Sequence, residues 1–119
     1  MYKHILSMIL SIMLISQANQ TFAQKSNLTT DTITVLGNCG QCKSRIEDAA
    51  YIKGVKLATW DKKTKLLKIT FNSTKTNMNS ITKAINIAGH DTPDHKAADK
   101  DYKKLPDCCA YRSGGCHHE

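Results

Sequence analysis

Thr32-Ile33-Thr34-Val35-Leu36-Gly37-Asn38-Cys39-Gly40-Gln41-Cys42 is the stretch on which the reading of this chain turns. Its first half alternates β-branched residues as a half-buried strand does, and Gly37 ends the run. Its second half is a C-x-x-C pair in a glycine-containing loop. Lys43 to Ile52 follows with Ile46, Ala49 and Ala50 at helical spacing and stops before Gly54, a residue suited to a left-handed helix end. The spacing predicts a helix that starts at the second cysteine, which places both thiols between a strand and a helix N-terminus. Free amides and the helix dipole at such a terminus favour thiolate over thiol.

Downstream, Val55 to Asp61 and Lys65 to Phe71 read as two more strands, joined by the turn Asp61-Lys62-Lys63-Thr64, with Leu67, Ile69 and Phe71 on one face. Trp60 falls within the first of them as a sheet residue. Asn77 or Thr76 is placed to cap a second helix in which Ile81, Ala84, Ile85 and Ala88 form one apolar stripe and Gly89 is the stop, with Met78 as a core residue. A short closing strand is expected at His90 to His95, confined to an edge or cut short because Pro93 has no amide to donate. The order is strand, helix, strand, strand, helix and an irregular last strand, which is an α+β chain.

The ends read differently. Lys3 and His4 precede an apolar run from Ile5 to Ile15, and Thr21-Phe22-Ala23 offers the small residues of a cleavage site. Residues 1–23 are therefore read as a signal peptide, since the run falls short of the roughly 20 apolar residues of a membrane span. Without a cysteine directly after that run there is no lipoprotein anchor, and an exported, periplasmic location without a stable membrane anchor is expected. Residues 24–31 are polar and read as a flexible lead-in, residues 32–95 as the functional domain, and residues 96–119 as a linker and Cys/His-rich tail.

The formal charge of +7 falls by one when Lys3 leaves, and the remaining lysines are scattered. That pattern fits a solvated basic face able to meet acidic partners, and it lacks the interleaved basic and aromatic clusters of a nucleic-acid binder. No paired carboxylates, serine-histidine-aspartate set or phosphate-binding glycine loop is present, so no enzyme is expected.

The chemistry resides in the sulfurs. Five cysteines, Cys39, Cys42, Cys108, Cys109 and Cys116, cannot all pair within one chain, so at least one is free, metal-bound or intermolecular. Two thiolates at C-x-x-C spacing grip one soft ion, Cu(I) before Hg(II) or Zn(II), because two opposed sulfurs suit an ion content with two ligands and zinc asks for four. Cys108, Cys109, Cys116, His117 and His118 form a second candidate set of ligands in the tail, against the alternative of a disordered tail with one disulfide.

The run Val35 to Cys42, together with Gly54-Val55, Ala58, Ile81, Ile85 and Gly89-His90-Asp91, resembles the heavy-metal-associated domain family of copper chaperones, metal-pumping ATPase N-termini and the periplasmic mercury-binding protein. The resemblance spans Thr32 to Asp94. It implies a ferredoxin-like βαββαβ fold, a four-stranded antiparallel sheet with two helices on one face, and metal held by Cys39 and Cys42. Two residues depart from the family's pattern. Asn38 stands alone between Gly37 and Cys39, where the family has a longer stretch with a methionine. His90 stands where many relatives have tyrosine, on a loop that in the family lies beside the metal, which makes it a candidate third ligand.

The expected function is a periplasmic soft-metal shuttle that meets a metal transporter or another carrier, with a metal-bridged dimer as a further form. Two alternatives compete. Cys39-Gly40-Gln41-Cys42 also resembles the thioredoxin-type Cys-Gly-Pro-Cys of thiol-disulfide oxidoreductases, although Gln41 replaces the proline. A metal-sequestering protein would use the tail as a second site.

Overall fold

The computed structural model describes residues 26–114 and, apart from them, Tyr2. The signal peptide reading of residues 1–23 and the tail residues Cys116, His117 and His118 lie outside what is described, except for Tyr2. In chain order the elements are β1 (Leu28–Thr34), α1 (Gly40–Ala50), β2 (Val55–Trp60), β3 (Leu66–Asn72), α2 (Met78–Ile87) and α3 (Asp99–Tyr102), then two 3-10 turns at Asp107–Cys109 and Tyr111–Ser113.

The strands form one antiparallel sheet in the order β1-β3-β2. Pairing sets Ile33 opposite Leu67, and Ala58 and Trp60 opposite Ile69 and Leu67. Alternation along β3 sends Leu67, Ile69 and Phe71 to the buried face. There they meet Ile46 and Ala50 of α1 and Ile81 and Ile85 of α2 in a single core that also holds Val35 and Trp60. The expected helical stripes form, with Asn77 as the α2 cap, its Oδ1 accepting from the Ser80 amide at 2.9 Å.

Three boundaries differ from expectation. β1 begins at Leu28, within the stretch read as a flexible lead-in, because polar Thr29, Thr30 and Asp31 still pair along β3 opposite Phe71, Thr70 and Ile69. Backbone pairing does not require an apolar side chain. α1 starts at Gly40 with Cys39 as its cap, so Gly40, Gln41 and Cys42 make its first turn rather than the helix starting at the second cysteine.

The third difference is the sheet. The expected fourth strand does not form among the described residues, and the sheet has three strands. The Leu36 amide donates to the Asp91 carbonyl at 3.0 Å, but Thr92 and His95 then bond to each other across a tight turn. Pro93 inside that turn offers no amide. The Asn86 side chain takes up the His90 carbonyl at 2.8 Å, and Asp91 Oδ1 takes the Ala97 amide at 2.7 Å. Side chains therefore satisfy groups that a ladder would have paired.

The chain after this turn stays on the domain. Arg112 donates to both carboxylate oxygens of Asp91, Nη2 to Oδ1 at 2.7 Å and Nε to Oδ2 at 3.1 Å, and its Nη2 also reaches the Ala97 carbonyl. Such a two-point contact fixes direction as well as distance. Tyr111 Oη donates to the Gly89 carbonyl at 2.7 Å and accepts from the Asp91 amide at 2.9 Å. Gly89 sits at φ +102, where a side chain would be strained, and an added Cβ would come within 2.9 Å of the Asp101 carbonyl oxygen. Its bareness lets the C-terminal segment close on α2.

Candidate metal centre

Cys39 caps α1 from an extended backbone, and its sulfur accepts from the Cys42 amide at 3.4 Å. One helical turn separates the two cysteines, which brings their sulfurs to 3.3 Å. Beneath them the loop is close-packed. A Cβ on Gly37 would meet the Cys42 Cβ at 3.0 Å and the Trp60 ring at 3.2 Å, so only glycine fits there without a shift. Trp60 is held in turn by its indole N–H, which donates to the Val35 carbonyl at 3.0 Å. The Trp60 ring thus packs directly under the loop.

The C-terminal segment brings two further sulfurs. Cys109 is fully buried with its sulfur 3.4 Å from that of Cys39. Cys108 is half-buried and donates to Gln41 Oε1 at 3.2 Å. The sulfurs of Cys39, Cys108 and Cys109 all lie within 4.8 Å of one another, and no pair among the four described cysteines is a disulfide. With metal–sulfur bonds of about 2.3 Å, thiolates sharing one ion stand roughly 4 Å apart, so small movements of these side chains would accommodate one. Among the described residues, the tail cysteines 108 and 109 therefore lie in the motif's own neighbourhood, while Cys116, His117 and His118 fall outside the described residues. Leu105 to Tyr111 carried a signal of this, since a freely solvated tail has little reason to place Leu105, Cys109 and Tyr111 so close together.

The electrostatics divide the thiols. Burial pushes Cys39 up, but hydrogen bonding from the Cys42 amide and from the thiols of Cys42, Cys109 and Cys108 outweighs it and brings the pKa down to about 7. Cys39 is then substantially thiolate at neutral pH and is the natural first ligand. Cys109 goes the other way, raised by burial and by the nearby sulfurs of Cys42 and Cys39.

His90 is fully buried, and the structure places it outside the sulfur group. Its Nδ1 pairs with the Leu36 carbonyl at 2.8 Å, so that nitrogen carries the proton of the neutral ring, and the ring stacks on Tyr111 with centroids 5.5 Å apart. Nε2 is buried with no hydrogen-bond partner. The ring thus braces the loop that leads into Gly37 and Cys39.

Burial lowers the His90 pKa, opposed by the Leu36 hydrogen bond; Arg45 adds to the lowering and Asp91 opposes it. The unfolded chain takes up this proton near 6.5 while the folded one still resists it. The stability contribution is present in full above that value and is lost as pH falls from it through the lowered folded-state value. The melting temperature of the reduced protein should fall from about pH 7.5 to about pH 5, and His90→Gln should flatten that slope. An equal slope in the variant would assign the effect to other groups.

No protein-family profile and no curated protein sequence matches this chain. Solved structures do. A CopZ metallochaperone aligns at 27% identity and a TM-score of 0.52, over 54% of this chain and 98% of its own. A protein named for copper-ion binding from Bacillus anthracis str. Ames aligns at 24% identity and a TM-score of 0.52, over 55% of this chain and 94% of its own. Oxidised MerP from Ralstonia metallidurans CH34 aligns at 26% identity and a TM-score of 0.47, over 54% and 94% of the two chains. This is a heavy-metal-associated-like fold. Almost the whole metallochaperone is matched by about half of the present chain, and the cysteine cluster accompanies the likeness. No helix among the described residues is long and apolar enough to cross a membrane.

Proposed function

We propose that this protein is a periplasmic carrier of a soft metal ion, Cu(I) foremost, held by Cys39 and Cys42 as cargo. The observation that carries the reading is the convergence of thiols at the N-terminus of α1, with Cys39 tuned toward thiolate, in a fold like that of the CopZ metallochaperone. Thiolates discriminate for soft ions and against calcium or magnesium. Handover needs no bond-breaking catalyst: a partner's thiolate binds the ion as one of this chain's leaves, and the displaced sulfur regains a proton. A transporter domain or a second carrier is the fitting recipient, with acidic groups to meet the scattered lysines.

Among the described residues the tail thiols join this cluster, which favours one cargo ion per chain over a separate sequestering site. The reduced mature protein should hold one Cu(I) against a coloured competing chelator. Failure to hold any would remove the carrier reading. Export is tested apart from this: protein recovered from the periplasm should begin at Gln24, and a chain that keeps its first 23 residues inside the cell would overturn the location.

A further inference from the structure

From the position of the docked C-terminal segment we infer that Cys109 is a third thiolate ligand to the ion held by Cys39 and Cys42, so that this carrier caps its own cargo site. The inference rests on the carrier reading and goes beyond the two-cysteine motif. Three observations support it. The Cys109 sulfur is 3.4 Å from that of Cys39, although 70 residues separate them in sequence. The turn that presents it is locally built, its amide bonded to the Pro106 carbonyl at 2.8 Å and the next amide to Asp107. The segment beyond is anchored by Arg112 on Asp91 and by Tyr111 on Gly89 and Asp91, contacts with no part in the sulfur chemistry that nonetheless set where Cys109 stands.

A buried cysteine is often only a small apolar filler. Two features argue against that here. Cys109 reaches the motif's sulfur rather than the aliphatic core alone, and the Cys39 sulfur stands 3.4 Å from Cys109 and 3.3 Å from Cys42, whereas the Cys108 sulfur, although within 4.8 Å of Cys39 and Cys109, donates to Gln41 Oε1 at 3.2 Å. Three soft sulfurs around one ion make a trigonal site that suits Cu(I), and the four-ligand preference of zinc is left unmet.

On loading, Cys39, Cys42 and Cys109 each enter as thiolate, any proton they carry passing to solvent, and the oxidation state of the ion does not change. On delivery, an incoming partner thiolate bonds to the ion, the bond to Cys109 breaks, and Cys109 takes a proton. The third ligand therefore slows loss of the ion to water while leaving the exposed side of Cys39 open to a partner.

The test is X-ray absorption on Cu(I)-loaded full-length mature protein, counting sulfurs around copper. Wild type should show three, Cys109→Ser two, and Cys108→Ser three, with the apolar Cys109→Ala taking the place of the serine variant if that does not fold. Two sulfurs in wild type, or three retained without Cys109, would overturn the inference while leaving the carrier reading intact. Absence of bound Cu(I) in wild type would instead remove the carrier reading itself.

Discussion

Cys39→Ser/Cys42→Ser is expected to weaken Cu(I) binding by at least about a thousandfold, roughly 4 kcal/mol, while leaving the fold in place. Cys39 is half-exposed and caps α1, a position that serine fills well. Cys42 is fully buried, and the slightly smaller serine has the Asn38 Oδ1 acceptor, now 3.4 Å from the sulfur, within reach. The substitution thus removes soft ligands and little else. Competition titration of wild type, the double variant and a chain ending at Pro106 separates the contributions. Tight binding that persisted in the double variant and vanished on truncation would assign the cargo site to the C-terminal thiols and end the case for Cys39 and Cys42.

Trp60→Ala should cost about 3–5 kcal/mol, a large share of the roughly 5–15 kcal/mol by which a domain is stable. Only 1% of Trp60 is exposed, and it is the largest of the fully buried side chains. Three further contacts tie it to the site. Its indole N–H holds the Val35 carbonyl at 3.0 Å, its backbone amide donates to Glu47 Oε1 at 2.8 Å, and its carbonyl accepts from Lys43 Nζ at 2.9 Å. Removing the ring leaves a cavity beneath Gly37 and an unpaired buried carbonyl. Urea unfolding should show a markedly lower midpoint with the slope preserved. A loss below about 1 kcal/mol would mean that the loop collapses into the space and that Trp60 is not what shapes it.

The two variants also probe different layers. One removes ligands from a standing scaffold, and the other removes the scaffold from under the ligands. Metal affinity should therefore drop in both, but only in Trp60→Ala should the drop accompany a lower unfolding midpoint.

Much of this molecule was legible in its residues because the signals are local. The period-two run of Leu67, Ile69 and Phe71 specifies a buried strand face, and Ile81 with Ile85 specifies a helix stripe. Asn77 and Gly89 mark the two ends of α2 through capping and through a left-handed backbone, both properties of single residues. The C-x-x-C pair needs only one helical turn to bring its sulfurs together, so its geometry was implied by its spacing.

Contacts between distant segments are of another kind. That Pro93 and Asp91 would end in a turn, with no fourth strand formed among the described residues, depended on Asn86, Ala97 and Arg112 supplying partners from elsewhere. That His90 would brace Leu36, and that Trp60 would lie under Gly37, are contacts across long sequence separations. Above all, Cys109 reaches Cys39 only because Arg112 finds Asp91 and Gly89 leaves room for the segment to close. The strand and helix pattern and the chemical softness of the site follow from periodicity and side-chain type, which act within a few residues. How many sulfurs meet there was decided by packing and hydrogen bonds between distant segments, whose strength depends on geometry that exists only once the chain has folded.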